Sequence, residues 1–235
     1  FGKLKVLNNV SITCNKGETI SLIGPNGSGK TTFIKCILGM VIADSGVISF
    51  NEQDIKGESE YRCNIGYMPQ IGRYPDNMTI AQIFDMMLDL RKKKWADADD
   101  ELVTSLGLKN IFNKRMRTLS GGTRQKVSAS LAFLFNPQVL ILDEPTAGRD
   151  PLVRRSFLES MSDRAAAGQT VFLSSHQIAE VERVADGVAI LHQGQLQIVA
   201  PLEELKSSVT ILDLSLRDPL LALPMEMEAM QVLHK

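Results

Sequence analysis

The chain has 235 residues, of which 44% are apolar and 23% charged, and its net charge is −1. That length suits one large domain or one and a half, and the near-neutral balance provides no basic field to hold nucleic acid or an anionic membrane surface. No apolar run approaches the roughly 18 residues of a spanning helix, and no leader pattern is evident, so a cytoplasmic location is expected; the opening at Phe1 rather than Met points to further residues upstream.

In chain order, "VLNNVSITCNKG" (6–17) alternates and turns through Asn and Gly, which predicts an antiparallel flap together with "GVISFNEQDI" (46–55). Between them, "TISLIG" (19–24) is apolar without alternation, hence a strand buried on both faces. It runs into "GPNGSGKTT" (24–32), and a helical pattern over 30–39 follows. The stretch fits G-x-x-x-x-G-K-[ST]. Gly24, Gly27 and Gly29, with Pro25, Asn26 and Ser28 between them, let the backbone wrap phosphates. Lys30 reaches the β and γ phosphates, and the Thr31 hydroxyl, followed by Thr32, can ligate Mg²⁺. These residues predict a nucleoside triphosphate site.

"NIGYMP" (64–69) reads as the next buried strand, after which residues 71–136 break the rhythm by being almost all helical. "MTIAQIFDMMLDLRKK" carries a capping box in Thr79 and Gln82, Met86 and Met87 as core filler, and Arg91–Lys94 as a solvated helix end. "DDELVTSLGL" follows. "TLSGGTRQK" (118–126) then opens a helix at a Ser120 cap, and this helix runs through Phe135 and is closed by Pro137. The bare amides behind Gly121 and Gly122 make this helix start a second place for phosphate.

The strand–helix rhythm resumes with "QVLILDE" (138–144). Asp143 stands where an acid can hold Mg²⁺ through its water shell, while Glu144, one residue on, points elsewhere and can face an attacking water. Helical patterns over 151–167 and 177–184 alternate with "TVFLSSH" (170–176) and "DGVAILHQG" (186–194), which means α/β with a largely parallel sheet. Past about residue 205 the pattern loosens; "VTILDLSLR" is strand-like and "MEMEAMQVL" weakly amphipathic. Cys14, Cys36 and Cys63 are odd in number and lack metal-ligand spacing, so reduced thiols are expected.

"LSGGTRQK" shortly upstream of "VLILDEP", with "GPNGSGKTT" far upstream, resembles the ATP-binding cassette ATPases, the nucleotide-binding subunits of ABC transporters, over residues 1–205. The resemblance implies a P-loop NTPase (RecA-like) core with a mainly parallel sheet and an N-terminal antiparallel β flap (1–70 and 137–205). It also implies an inserted all-helical signature subdomain (71–136) and a C-terminal extension (206–235). It places Gln70 on Mg²⁺ and the attacking water, His176 on the γ-phosphate, Asp150 near a subunit junction and Phe1 on adenine. It also answers why there are two phosphate sites: Ser120, Gly121 and Gly122 of one subunit close on the ATP held by Lys30 of a second, so that ATP joins a homodimer. ATP and Mg²⁺ are the implied cofactors. A separate membrane permease, docking near the Gln70 hinge and residues 71–90, is the implied partner at the inner face of the cell membrane, with no nucleic acid.

Two positions depart from the family pattern: Arg149 where Leu is usual, and Thr123 where Gln is common. Thr123 together with G-x-D-P is similar to the branch serving ABC-2-type permeases. The wording around "IGYMPQIGRYPDNMT" is similar to cassettes that support copper-site maturation of nitrous oxide reductase. A soluble cassette acting on ribosomes or DNA is the alternative; such proteins usually carry two cassettes in tandem or a long coiled-coil insertion, and this sequence shows neither.

Overall fold

A computed structural model describes residues 5–145 and 151–208. Strand β1 (Thr19–Ile23) leads through the glycine-rich loop into helix α1 (Lys30–Ile37), followed by the short hairpin β2 (Ser49–Phe50) and β3 (Gln53–Asp54). Next come β4 (Ile65–Met68) and the helices α2 (Ile80–Leu90), α3 (Glu101–Ser105) and α4 (Gly121–Phe133). The chain returns through β5 (Val139–Asp143), α5 (Pro151–Ala166), β6 (Thr170–Ser175), α6 (Ile178–Val184), β7 (Gly187–His192), β8 (Gln195–Pro201) and α7 (Leu202–Ser208).

Six strands form one sheet in the order β4-β5-β6-β1-β7-β8, parallel except for the β7–β8 pair. Its middle strands are buried on both faces, as apolar runs without alternation require. Leu140 and Leu142 of β5 face Phe133 and Phe157, whereas Ile141 between them faces Ile34 and Phe172 with the α1 layer. A third core, built from Ile80, Ile83, Phe84, Val103, Leu108 and Leu134, holds the helical region together. Its α2 starts with the expected capping box: Thr79 N–H donates to Gln82 Oε1 at 2.9 Å, and Gln82 N–H to Thr79 Oγ1 at 3.2 Å. Met86 and Met87 pack partly buried against this third core. The helix α4 lies against β4 so closely that a Cβ on Gly66 would stand 2.0 Å from the Ala132 carbonyl oxygen; only glycine fits there.

The structure differs from the sequence reading at three places. Residues 6–17 form no ladder; the antiparallel sheet there is only the β2–β3 hairpin, with pairs Ser49↔Asp54 and Phe50↔Gln53. The alternation is nevertheless genuine, because Val10, Ile12 and Cys14 turn their side chains onto the α1-side core, while Asn9 at φ +52° breaks the segment before it can extend into a strand. Strand β8 was not expected from its sequence, which presents a mostly exposed sheet edge without a clean apolar face. Arg91 is half-buried rather than solvated. Its guanidinium donates to the carbonyls of Cys63 (2.7 Å) and Arg62 (3.2 Å) and lies 5.3 Å over the Phe135 ring.

Candidate functional site

Parallel pairing brings the C-terminal ends of β1, β4, β5 and β6 to one edge of the sheet, the place where open α/β sheets collect ligand-binding side chains. Each strand delivers its part: the glycine-rich loop from β1, Gln70 just past β4, Asp143 and Glu144 from β5, and Ser174 and His176 from β6.

The loop is built for close approach by its backbone. Gly27 and Gly29 adopt φ +80° and +109°, and a Cβ at Gly24 would fall 2.2 Å from the Leu191 carbonyl oxygen. Lys30 opens α1 and is only 5% exposed; its Nζ donates to the carbonyls of Gly24 (2.7 Å) and Pro25 (3.2 Å). The Ser28 hydroxyl is buried with no hydrogen-bond partner among the described residues. A cradle of glycines, an ammonium at its centre and an orphaned hydroxyl suit an anionic phosphate chain.

Next to the loop, Thr31 Oγ1 donates to Asp143 Oδ2 at 2.9 Å. A hydroxyl and a carboxylate at that spacing are an all-oxygen donor set of the kind Mg²⁺ takes alongside phosphate oxygens. Burial first, and the charge of Asp143 second, push the neighbouring Tyr67 phenol up to about 12, so it stays neutral.

Glu144 is the point of convergence. Its Oε1 lies 3.5 Å from Lys30 Nζ, and its Oε2 accepts from Gln70 Nε2 at 3.0 Å and lies 3.4 Å from His176 Nδ1. The residue is 7% exposed and holds φ +47°, a left-handed conformation that non-glycine residues rarely adopt and that clusters at functional sites. Its amide N–H is anchored on Ser174, at 3.1 Å from the carbonyl and 3.0 Å from the hydroxyl.

Thus Lys30, Thr31, Gln70, Asp143, Glu144 and His176, singled out from four separate stretches of sequence, meet in one cluster. Ser120, Gly121 and Gly122 do not belong to that cluster's hydrogen bonds. They form an exposed helix start whose capping hydroxyl accepts from Thr123 N–H at 3.2 Å and shares a 2.9 Å hydrogen bond with the Thr123 hydroxyl. Phe1, Arg149 and Asp150 lie outside the described residues. Sequence reasoning missed Ser174; the only available signal was the polar pair ending the otherwise apolar run "TVFLSSH".

A mainly parallel sheet, a phosphate loop at the end of its β1 strand and paired acids at the end of β5 define a P-loop NTPase core, here carrying a helical insertion. A family model described as ABC transporter matches residues 7–147. The chain is 35% identical over 203 residues to the ABC transporter ATP-binding protein YtrB of Bacillus subtilis, covering 86% of this chain and 69% of that protein. It is 33% identical over 215 residues to the linearmycin resistance ATP-binding protein LnrL of the same species (88% and 68% covered). To the sulfate/thiosulfate import ATP-binding protein CysA of Caulobacter vibrioides it is 34% identical over 205 residues (84% and 60% covered). The chain therefore spans 60–69% of the length of these three relatives. Among solved structures it is similar to an ATP-binding subunit of an ABC transporter, with TM-score 0.82, 30% identity and 88% of each chain covered. It is also similar to an ABC transporter cassette in its ADP conformation, with TM-score 0.67, 30% identity, and 87% and 88% covered. The chain belongs to the ABC transporter family as one of its ATP-binding cassettes, a family of ATPases coupled to transport.

Proposed function

We propose that this chain binds and hydrolyses ATP at the cluster centred on Glu144, and that two copies close on the nucleotide to drive a separate membrane permease. The observation that carries the proposal is the convergence of Lys30, Gln70 and His176 on one buried carboxylate beside the Thr31–Asp143 pair.

Each residue then has a task set by its chemistry. The loop amides and Lys30 bind the phosphates. Thr31 and Asp143, with Gln70, hold Mg²⁺, which neutralises charge on the phosphates when bound. Glu144, an acceptor-only group when ionised, takes the proton of the attacking water, and Gln70 and His176 orient its carboxylate. The exposed amides behind Ser120, backed by the dipole of α4, offer a second anion site to the nucleotide of another copy. Phe1 and Asp150 are proposed to complete the adenine contact and the junction between copies.

The permease is proposed to dock in the cleft between the sheet and the helical region. A cavity of about 310 Å³ lies there, lined by Met40, Tyr67, Tyr74, Met87, Leu131 and Phe135 among others. Among the described residues no helix is long and apolar enough to cross a membrane. Thr123 together with G-x-D-P supports an ABC-2-type permease, and the likeness around "IGYMPQIGRYPDNMT" supports a cargo tied to copper-site maturation of nitrous oxide reductase. Copper content of that reductase, purified from cells with and without this subunit, tests the cargo.

The test of the central claim is sedimentation of the Glu144→Gln variant with Mg-ATP. A dimer that disappears when Ser120 is replaced by Arg is expected; a monomer at every ATP concentration sinks the two-copy mechanism. Lys30→Ala should abolish ATP binding in a fluorescence titration, and retained affinity would remove the phosphates from this loop.

A further inference from the structure

We infer that Ser174, one residue inside the end of β6, is a positioning residue that sets both acids of the site at once. The inference rests on the proposed hydrolytic role of this cluster. The β5–β6 register pairs Asp143 directly with Ser174, and Ser174 is fully buried. Its Oγ is 2.6 Å from Asp143 Oδ1. An ionised carboxylate can only accept, so the one hydroxyl proton of Ser174 is committed to Asp143. The hydroxyl oxygen keeps lone pairs for a donor, and Glu144 N–H supplies one at 3.0 Å.

One hydroxyl therefore has two consequences for catalysis. Asp143 is fixed through Oδ1, so its other oxygen, Oδ2, is turned toward Thr31 and the metal position. Glu144 is held at φ +47° by a doubled acceptor, the Ser174 carbonyl and hydroxyl together, and that backbone turn aims its side chain at Gln70, Lys30 and His176. Outer partners of this kind, which orient a ligating carboxylate, typically change metal affinity or activity by about 10–100-fold when removed. Sequence spacing could not show the link, because 31 residues separate Ser174 from Asp143.

The experiment compares the full chain with Ser174→Ala and with Ser21→Ala. Ser21 is an equally buried hydroxyl on β1 of the same sheet that has no hydrogen-bond partner among the described residues, so its loss controls for removing a buried oxygen as such. The readouts are Mn²⁺ affinity of the complex with a non-hydrolysable ATP analogue by electron paramagnetic resonance, analogue affinity in EDTA by fluorescence, and kcat. For Ser174→Ala we expect Mn²⁺ affinity and kcat each to fall about tenfold or more, with metal-free affinity within about twofold; Ser21→Ala should leave all three unchanged.

Unchanged Mn²⁺ affinity and kcat in a folded Ser174→Ala protein would overturn the inference. So would a parallel loss of metal-free affinity, which would make the residue merely structural. If the alanine variant does not fold, Ser174→Cys, similar in size but a weak donor, is read by the same criteria. A wild-type chain without Mn²⁺-dependent analogue binding would instead remove the hydrolytic reading itself, and this inference with it.

Discussion

Glu144 shows how much one position can concentrate. It is buried, it sits in a backbone conformation disfavoured for its residue type, and it touches a cation, an amide and an imidazole. Replacing it by Gln keeps the shape but removes the ionised acceptor, so ATP binding should persist while kcat falls about a hundredfold or more, measured by phosphate release. The cysteines allow a separate check. Burial, reinforced by the charge of Glu18, pushes the Cys14 thiol up to about 12, and burial also raises Cys36, whereas Cys63 is exposed. Maleimide at neutral pH should modify Cys63 first and Cys14 last in the native protein, read by peptide mass spectrometry. The residues legible beforehand, Lys30, Thr31, Asp143 and Glu144, carry their chemistry within a few neighbours along the chain. Ser174 and Arg91 were not legible, because the first acts through strand register and the second through carbonyls 28 and 29 residues away.

At the scale of elements, a strong local signal made a segment readable. The Thr79–Gln82 box placed the start of α2 correctly because both of its hydrogen bonds close within three residues. β8 and the residues before Cys14 escaped reading or were misread for the opposite reason. Their order comes from edge pairing with β7 and from side chains resting on a core assembled from distant segments. The helical region also contains its own reporter: Trp95, the single tryptophan, stacks 5.6 Å from Phe84, lies 5.8 Å from Phe112 and donates to Asp85 at 2.9 Å. Thr79→Ala removes the cap and should destabilise this region by about 1 kcal/mol. Urea unfolding followed by Trp95 fluorescence should show the earlier midpoint.

Over the whole molecule, the helical region is joined to the sheet by a shared apolar core, in which Leu102, Ala129, Ala132 and Phe133 pack with Met68, Leu140 and Leu142, and by a few specific polar contacts. Arg91 reaches from the end of α2 to the carbonyls before β4, and Arg164 of α5 pairs with Asp99 and Glu101 on the other side. The backbones of α4 and β4 also meet directly, at Gly66. Gly66→Ala should destabilise the protein by about 1–3 kcal/mol, because the new methyl group meets a carbonyl that the helix cannot easily withdraw; thermal melting measures this. That contact lies near the C-terminal end of α4, while the Ser120 cap lies at the opposite end, about 18 Å away at 1.5 Å of rise per residue. With no side chain to cushion it, the contact fixes the spacing of α4 from β4 at this end of the helix. A tilt of α4 of about 10° around that point would sweep the Ser120 end through about 3 Å, roughly the length of one hydrogen bond, which is the scale that would decide whether the proposed contact with a second copy forms.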